Sequence, residues 1–134
     1  MKALVLRKHG SLDDLEVVTD YPMPKAVEGH VVIRVGASSF NYHDVFTVKG
    51  MPGIKVPLPV VIGLDMAGDI HEVGAGVTGW KVGDRVSAQT GQGGFAEEAL
   101  ADVAAANAAG APFRIVICNF QPLTQAGLAL LHKT

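Results

Sequence analysis

Between Val60 and Val86 the segment VVIGLDMAGDIHEVGAGVTGWKVGDRV sets short β-branched runs between glycines at 63, 68, 74, 76, 79 and 83. Glycine at that density serves tight turns and positive-φ positions, so the chain must reverse several times at short intervals. Long helices do not fit such a segment; short strands joined by turns do. The flanking sequence agrees. Residues 2–7 (KALVLR) read as a first strand, His9-Gly10-Ser11 as a turn, and Leu15-Glu16-Val17-Val18 as a second strand. Pro22 and Pro24 keep a central strand out of their neighbourhood. Glu28-Gly29-His30 turns the chain into VVIRV at 31–35, the clearest strand. Residues 58–62 and 66–73 read as two more, broken at Gly63, followed by a turn and strand over Gly79–Val86 and a last short strand over Gly93–Ala99. Many short strands with glycine turns predict a mostly β, partly open barrel rather than alternating βαβ units.

The last third has a different character. Residues 99–111 (ALADVAAANAAGA) are dominated by alanine and read either as a helix stopped by Gly110 and Pro112 or as a plain connector. FRIVIC at 113–118 reads as a buried strand. Pro122 then opens LTQAGLALLHK, with Leu123, Ala126, Gly127, Leu130 and Leu131 on one face of a predicted C-terminal helix. The expected organisation is one domain: a barrel core over 1–100, an Ala-rich connector over 101–111, and a returning strand and helix over 112–134.

A chain of 134 residues is long enough for one independent core, burying roughly two-thirds of its unfolded surface. A formal charge of −2 gives no electrostatic case for nucleic acid or an anionic membrane as partner. The single cysteine, Cys118, excludes an intrachain disulfide and a multi-cysteine zinc site. No apolar run of 18 residues occurs, and Met1-Lys2-Ala3 leads straight into a strand. The expected setting is soluble and cytoplasmic.

Several segments, in order, resemble the catalytic domain of the medium-chain dehydrogenase/reductase family. Glu28–Val35 is similar to that family's Gly-Glu-Val-Leu-Val-Arg-Val strand, and Phe40-Asn41-Tyr42-His43-Asp44 to the segment after it, where zinc-dependent members carry Cys-x-Thr/Ser-Asp. Pro57-Leu58-Pro59, Gly74–Val86 and Gly93-Gly94-Phe95-Ala96-Glu97 resemble three further family motifs. The resemblance implies a GroES-like barrel. It also implies the zinc-free, quinone oxidoreductase-like branch, because Asn41 and Leu64 stand where zinc members place their first two ligands. Neither side chain offers the thiolate or imidazole that zinc prefers. NADPH is the cofactor the resemblance implies, and zinc is not.

The same comparison exposes a gap. Dinucleotide binding normally uses a glycine-rich turn between a strand and a helix, whose N–H groups face the pyrophosphate. Gly74-Ala75-Gly76-Val77-Thr78-Gly79 satisfies the letters Gly-x-Gly-x-x-Gly, but it lies between strand patterns and reads as a barrel turn. Residues 113–131 resemble the segment by which the family's chain returns from its nucleotide domain to the barrel. On that alignment the connector near 101–111 replaces the nucleotide domain.

Asn41, Tyr42, His43, Asp44 and Asp65 are the candidate catalytic residues. His43 suits proton transfer near neutral pH, with Asp44 or Asp65 to orient it; Tyr42 can donate a proton. The competing reading is that these side chains are structural, bonding a loop, with Tyr42 half-buried at the barrel mouth. His71 and Glu72 fall on opposite faces of a strand, Asp84-Arg85 reads as a turn with an ion pair, and His9 and His30 read as solvated. Two classes of function follow. One is an oxidoreductase-type catalytic domain related to NADPH quinone or enone reductases, with its own turnover in question. The other is a small barrel that binds a small-molecule ligand or a partner without hydride chemistry; a new hydrolytic activity in the open cleft is a lesser third. A barrel face left open favours association, so a homo-oligomer, most simply a dimer, is expected.

Overall fold

The computed structural model describes residues 1–51, 56–103, 106–107 and 114–117. It contains nine strands and one α-helix among them: β1 (Ala3–Leu6), β2 (Leu15–Val18), β3 (His30–Ser39), α1 (Tyr42–Lys49), β4 (Val60–Val61), β5 (Asp65–Val73), β6 (Arg85–Gln89), β7 (Glu98–Asp102), β8 (Ala106–Asn107) and β9 (Arg114–Ile117). They form two sheets, β2-β1-β4 and β7-β3-β5-β6-β9-β8. The sheets do not close on each other; a single Ala3–Ala96 bridge and the Leu4 N–H to Phe95 O bond of 2.8 Å join them. The mostly β, partly open architecture expected from the sequence is what forms.

The centre is the long antiparallel pair β3–β5, from Val31 opposite Val73 to Ser39 opposite Asp65. Bulges fall between Val32 and Ile33 and between Val35 and Ala37; they bend the ribbon and let one strand serve both a buried centre and an exposed end. Val31, Ile33, Met66, Ile70, Val86, Ala88, Ala99 and Ala101 alternate inward from four strands and close on Trp80, forming the main core. A second cluster of Leu6, Ile62 and Val48 ties β1 and the end of β4 to α1.

Three sequence expectations change here. Residues 99–102, the start of the Ala-rich stretch, are neither helix nor connector: they belong to β7, which pairs with β3 from Arg34–Glu98 to His30–Asp102. Alanine's helix propensity loses to this pairing because Ala99 and Ala101 are small enough to lie flat on the core. Second, 42–49 form a helix that the strand-dominated pattern did not announce. Third, Arg85 sits directly across from Asp69 on β5, with Nε and Oδ1 3.8 Å apart, while Asp84 Oδ2 accepts from Lys81 N–H at 3.1 Å. The expected strand at 113–118 is β9, which runs parallel to β6 with Val86 opposite Arg114. The predicted helix after Pro122 lies outside the described residues.

Candidate functional site

The polar residues singled out in the sequence converge at the open end of the β3–β5 ribbon, where α1 begins. Asn41 is the N-cap of α1, in extended backbone conformation, and its Oδ1 accepts the His43 N–H at 3.0 Å. Asp44, at the third helical position, reciprocates by accepting the Asn41 N–H on Oδ2 at 2.7 Å. This is a capping box, which satisfies free N–H groups at both ends of one turn. Gly50, at φ +68°, stops the helix. His9 Nδ1–H donates to the Thr47 carbonyl at 2.8 Å and pins the last turn. Neither His9 nor His30, whose Nδ1 meets the Glu28 carbonyl at 2.8 Å, is free in solvent as expected.

The cap has a second task. Asn41 Nδ2 donates to Asp65 Oδ2 at 3.0 Å, and Gln89 Nε2 donates to Asp65 Oδ1 at 2.9 Å. Gln89 is Asp65's direct cross-strand partner on β6, so register alone delivers it. One carboxylate is thus gripped on both oxygens by two amides from separate elements. Gln89 was not foreseen, and the signal that could have found it is its place four residues after Arg85 on a strand paired with β5. Two residues before Asp65, Gly63 lets the chain pass close to the 94–95 backbone: at φ +104° a Cβ there would lie 2.6 Å from Phe95 N.

The His43 ring nitrogen Nδ1 meets a hydroxyl rather than a carboxylate. Its Nδ1 lies 3.4 Å from Thr47 Oγ1, which itself donates to the His43 carbonyl at 3.0 Å. Gln92 Nε2 donates to the same hydroxyl at 3.3 Å. Tyr42 is also placed differently from the expectation: it is 78% exposed, and its ring packs on Phe46 with centroids 5.9 Å apart. On the other side of the cap Phe40, 81% exposed, rests on Phe95 at 4.8 Å. Asp44 is buried, and burial pushes its carboxyl above the ordinary range, opposed by the Asn41 and Gly63 N–H groups and by His43.

Two open clefts flank the assembly. One, of about 220 Å³, has Ser39, Asp65, Ala67 and Ser87 along it; a larger one of about 430 Å³ runs between Val17, Val35, Ala37 and Phe95. Small side chains on exposed β3 and β5 leave room for a ligand beside the Asp65 carboxylate. Among the described residues no three His, Cys, Asp or Glu side chains converge to hold a metal, and no helix is long and apolar enough to cross a membrane. Residues 74–79 form the turn region between β5 and β6 with no helix following. The N-terminus of α1, the one described helix, is occupied by its own Asp44 carboxyl. The described residues therefore do not fit a pyrophosphate cradle, which needs free N–H groups at a helix start.

Comparison with known proteins gives a consistent result. Residues 27–111 match the sequence profile of the alcohol dehydrogenase GroES-like domain. Over 102 residues the chain is 36% identical to the quinone oxidoreductase of Sus scrofa, covering 75% of this chain and 31% of that protein. Over 87 residues it is 40% identical to the acryloyl-coenzyme A reductase of Metallosphaera sedula, covering 64% of this chain and 25% of that one. The crystal structure of Escherichia coli quinone oxidoreductase complexed with NADPH superposes with a TM-score of 0.68 at 27% identity, over 75% of this chain and 30% of that one. The chain thus spans between a quarter and a third of the length of these relatives.

Proposed function

Since the chain belongs to the alcohol dehydrogenase GroES-like domain family of the medium-chain dehydrogenases/reductases, we propose that it is the substrate-side domain of a zinc-independent reductase of quinone or enone type. The observation that carries this reading is the Asn41–Asp65–Gln89 grip at the mouth of an open cleft. The hydroxyls of Ser39 and Ser87 in this cleft can donate to a carbonyl-bearing ligand beside the fixed Asp65 carboxylate, while Phe95, packed on Phe40, offers apolar surface in the neighbouring cleft. Thr47, itself bonded by Gln92, holds the His43 ring at the same helix start.

NADPH, when bound, would supply the hydride. No cradle for it stands among the described residues, and its binding is assigned to another chain. Zinc independence is supported by Asn41 being engaged as a helix cap and by Leu64, whose side chain offers no ligand atom. The single cysteine suits a reducing, cytoplasmic setting.

Calorimetry tests the reading with two titrations of the purified chain. A small quinone or enone is expected to bind saturably and shift the side-chain amide signals of Asn41 and Gln89 in NMR spectra, while NADPH alone shows no saturable binding up to millimolar concentration. Micromolar NADPH binding would overturn the assignment of the cradle elsewhere. Failure of every quinone and enone to bind would turn the reading to a ligand- or partner-binding barrel without hydride chemistry. Chelation with EDTA is expected to leave the melting temperature unchanged.

A further inference from the structure

Further along the large sheet, register gathers a second set of charges. Ile33, Ile70 and Val86 belong to the main core, so their strand neighbours Arg34, Asp69 and Arg85 stand on the opposite face. Arg34 is directly across from Asp69 on β5 and from Glu98 on β7, and Asp69 is directly across from Arg85 on β6. Glu98, Arg34, Asp69 and Arg85 thus form one row across four adjacent strands. His71 is the extra residue of β5 at the bulge between Val32 and Ile33, and its Nδ1 accepts from Arg34 Nη2 at 2.6 Å. The ion pairs of this row are loose. Arg34 Nε lies 3.9 Å from Glu98 Oε1 and Arg85 Nε 3.8 Å from Asp69 Oδ1, both longer than a hydrogen bond. A guanidinium carries five N–H donors in a fixed fork. Those of Arg34 and Arg85 border a cavity of about 390 Å³ in which Asp69 is the one carboxylate among the described lining residues. Its rim has exposed apolar surface in Val82, and the space where a Gly83 Cβ would stand is empty.

We propose that this cavity is a binding site for a phosphomonoester, whose phosphoryl oxygens bridge the Arg34 and Arg85 forks while its carbon skeleton lies on Val82. Neighbouring strands are about 4.8 Å apart, so the two arginine backbones stand roughly 10 Å apart with β5 between them. A tetrahedral dianion offers oxygens to both sides of that span, whereas the two oxygens of a carboxylate lie in one plane and are taken up by a single fork. The dianion also displaces Asp69 from Arg85, because that pair is long, exposed on both sides and weak. Asp69 lies four residues along β5 from Asp65, about 13 Å, so this site is separate from the Asn41–Asp65–Gln89 contact and holds whether or not the chain reduces a substrate.

The test is calorimetry of the purified chain with inorganic phosphate and phenyl phosphate as probes. Both are expected to bind saturably, phenyl phosphate the more tightly, and to shift the Nε–H signals of Arg34 and Arg85 in NMR spectra. Arg85→Gln is expected to weaken phenyl phosphate binding at least about tenfold by removing a charged, forked contact, with the melting temperature unchanged because its ion pair is exposed. Arg34→Lys keeps a cation beside Glu98 but loses the fork, and is expected to weaken binding as well. Asp69→Asn removes the competing charge and is expected to tighten it. Absence of saturable binding by either probe at millimolar concentration would overturn the proposal. So would binding that Arg85→Gln leaves unchanged, which would place the anion elsewhere on the chain. Equal affinity for the two probes would overturn the ester and leave the cavity to free phosphate.

Discussion

The Asn41 side chain carries two bonds at once, the cap and the grip on Asp65, and its variants separate them. Asn41→Ala removes the cap and the grip on Asp65, and a lost N-cap costs about 1 kcal/mol, roughly 4 °C of melting temperature for a domain of this size. Asn41→Ser keeps a capping oxygen but cannot reach Asp65; thermal melts should place it near wild type, while its ligand affinity falls with that of Asn41→Ala. Equal affinity loss without a stability difference between the two would show that the cap contributes nothing. Asp44 predicts a pH dependence whose sign follows from its upward displacement. A carboxyl whose folded value is raised stabilises the fold at acid pH, and that contribution declines as pH rises from the ordinary carboxylate range to the elevated folded value, then stays flat. Wild type should therefore lose stability relative to Asp44→Asn across that window in pH-resolved melts. Asn41, Asp44 and Asp65, grouped in the sequence by the family resemblance, lie side by side in the structure; the Asn-x-x-Asp spacing, that of a capping box, accounts for the first two. The sequence could not show that His43 turns to Thr47 or that Tyr42 faces solvent, because those depend on which way the helix is rolled.

At the scale of elements, α1 was hidden by its own composition. Its buried residues are Asp44, Thr47 and Val48, so the face toward the core is largely polar and carries no apolar stripe to recognise. β7 was obscured for the opposite reason: alanine-rich residues look helical until a neighbouring strand claims them. The pairing of β7 with β3 also buries Glu98, whose Oε1 lies 3.9 Å from Arg34 Nε and 3.8 Å from His71 Nε2. Arg34 Nη2 donates to His71 Nδ1 at 2.6 Å, which leaves the imidazole hydrogen on Nε2, facing Glu98. Three strands are tied by this one cluster. Arg34→Ala should cost about 1–3 kcal/mol, because the nearly buried carboxylate loses a cation; chemical denaturation measures it, and a neutral result would show that His71 and backbone suffice. Gly63→Ala, forced to a positive φ against Phe95 N, should cost about 1–3 kcal/mol by backbone strain in the same assay.

On the scale of the whole molecule, the mostly β character and the run of strands before β7 were legible because β-branched runs and glycines repeat at short spacing. What covers the open side was not, since a surface has no periodicity of its own. Of the exposed large apolar side chains, Phe40, Tyr42, Val45 and Met51 lie on or beside α1, Phe40 and Tyr42 flanking Asn41 in the sequence. A patch of this composition is rarely left in water, and the isologous contact of two such patches is the simplest cover. The chain is therefore expected to form a dimer at micromolar concentration, seen as concentration-dependent sedimentation. Phe40→Glu places a charge on the most exposed of these side chains while leaving the buried core residues untouched. It should raise the dimer dissociation constant at least about tenfold, equivalent to 1.4 kcal/mol, with little change in melting temperature extrapolated to dilute protein. A wild type that sediments as a monomer throughout would leave the patch to a different cover, and the Asn41 amide beside it would then be open to ligand on every copy rather than screened by a second chain.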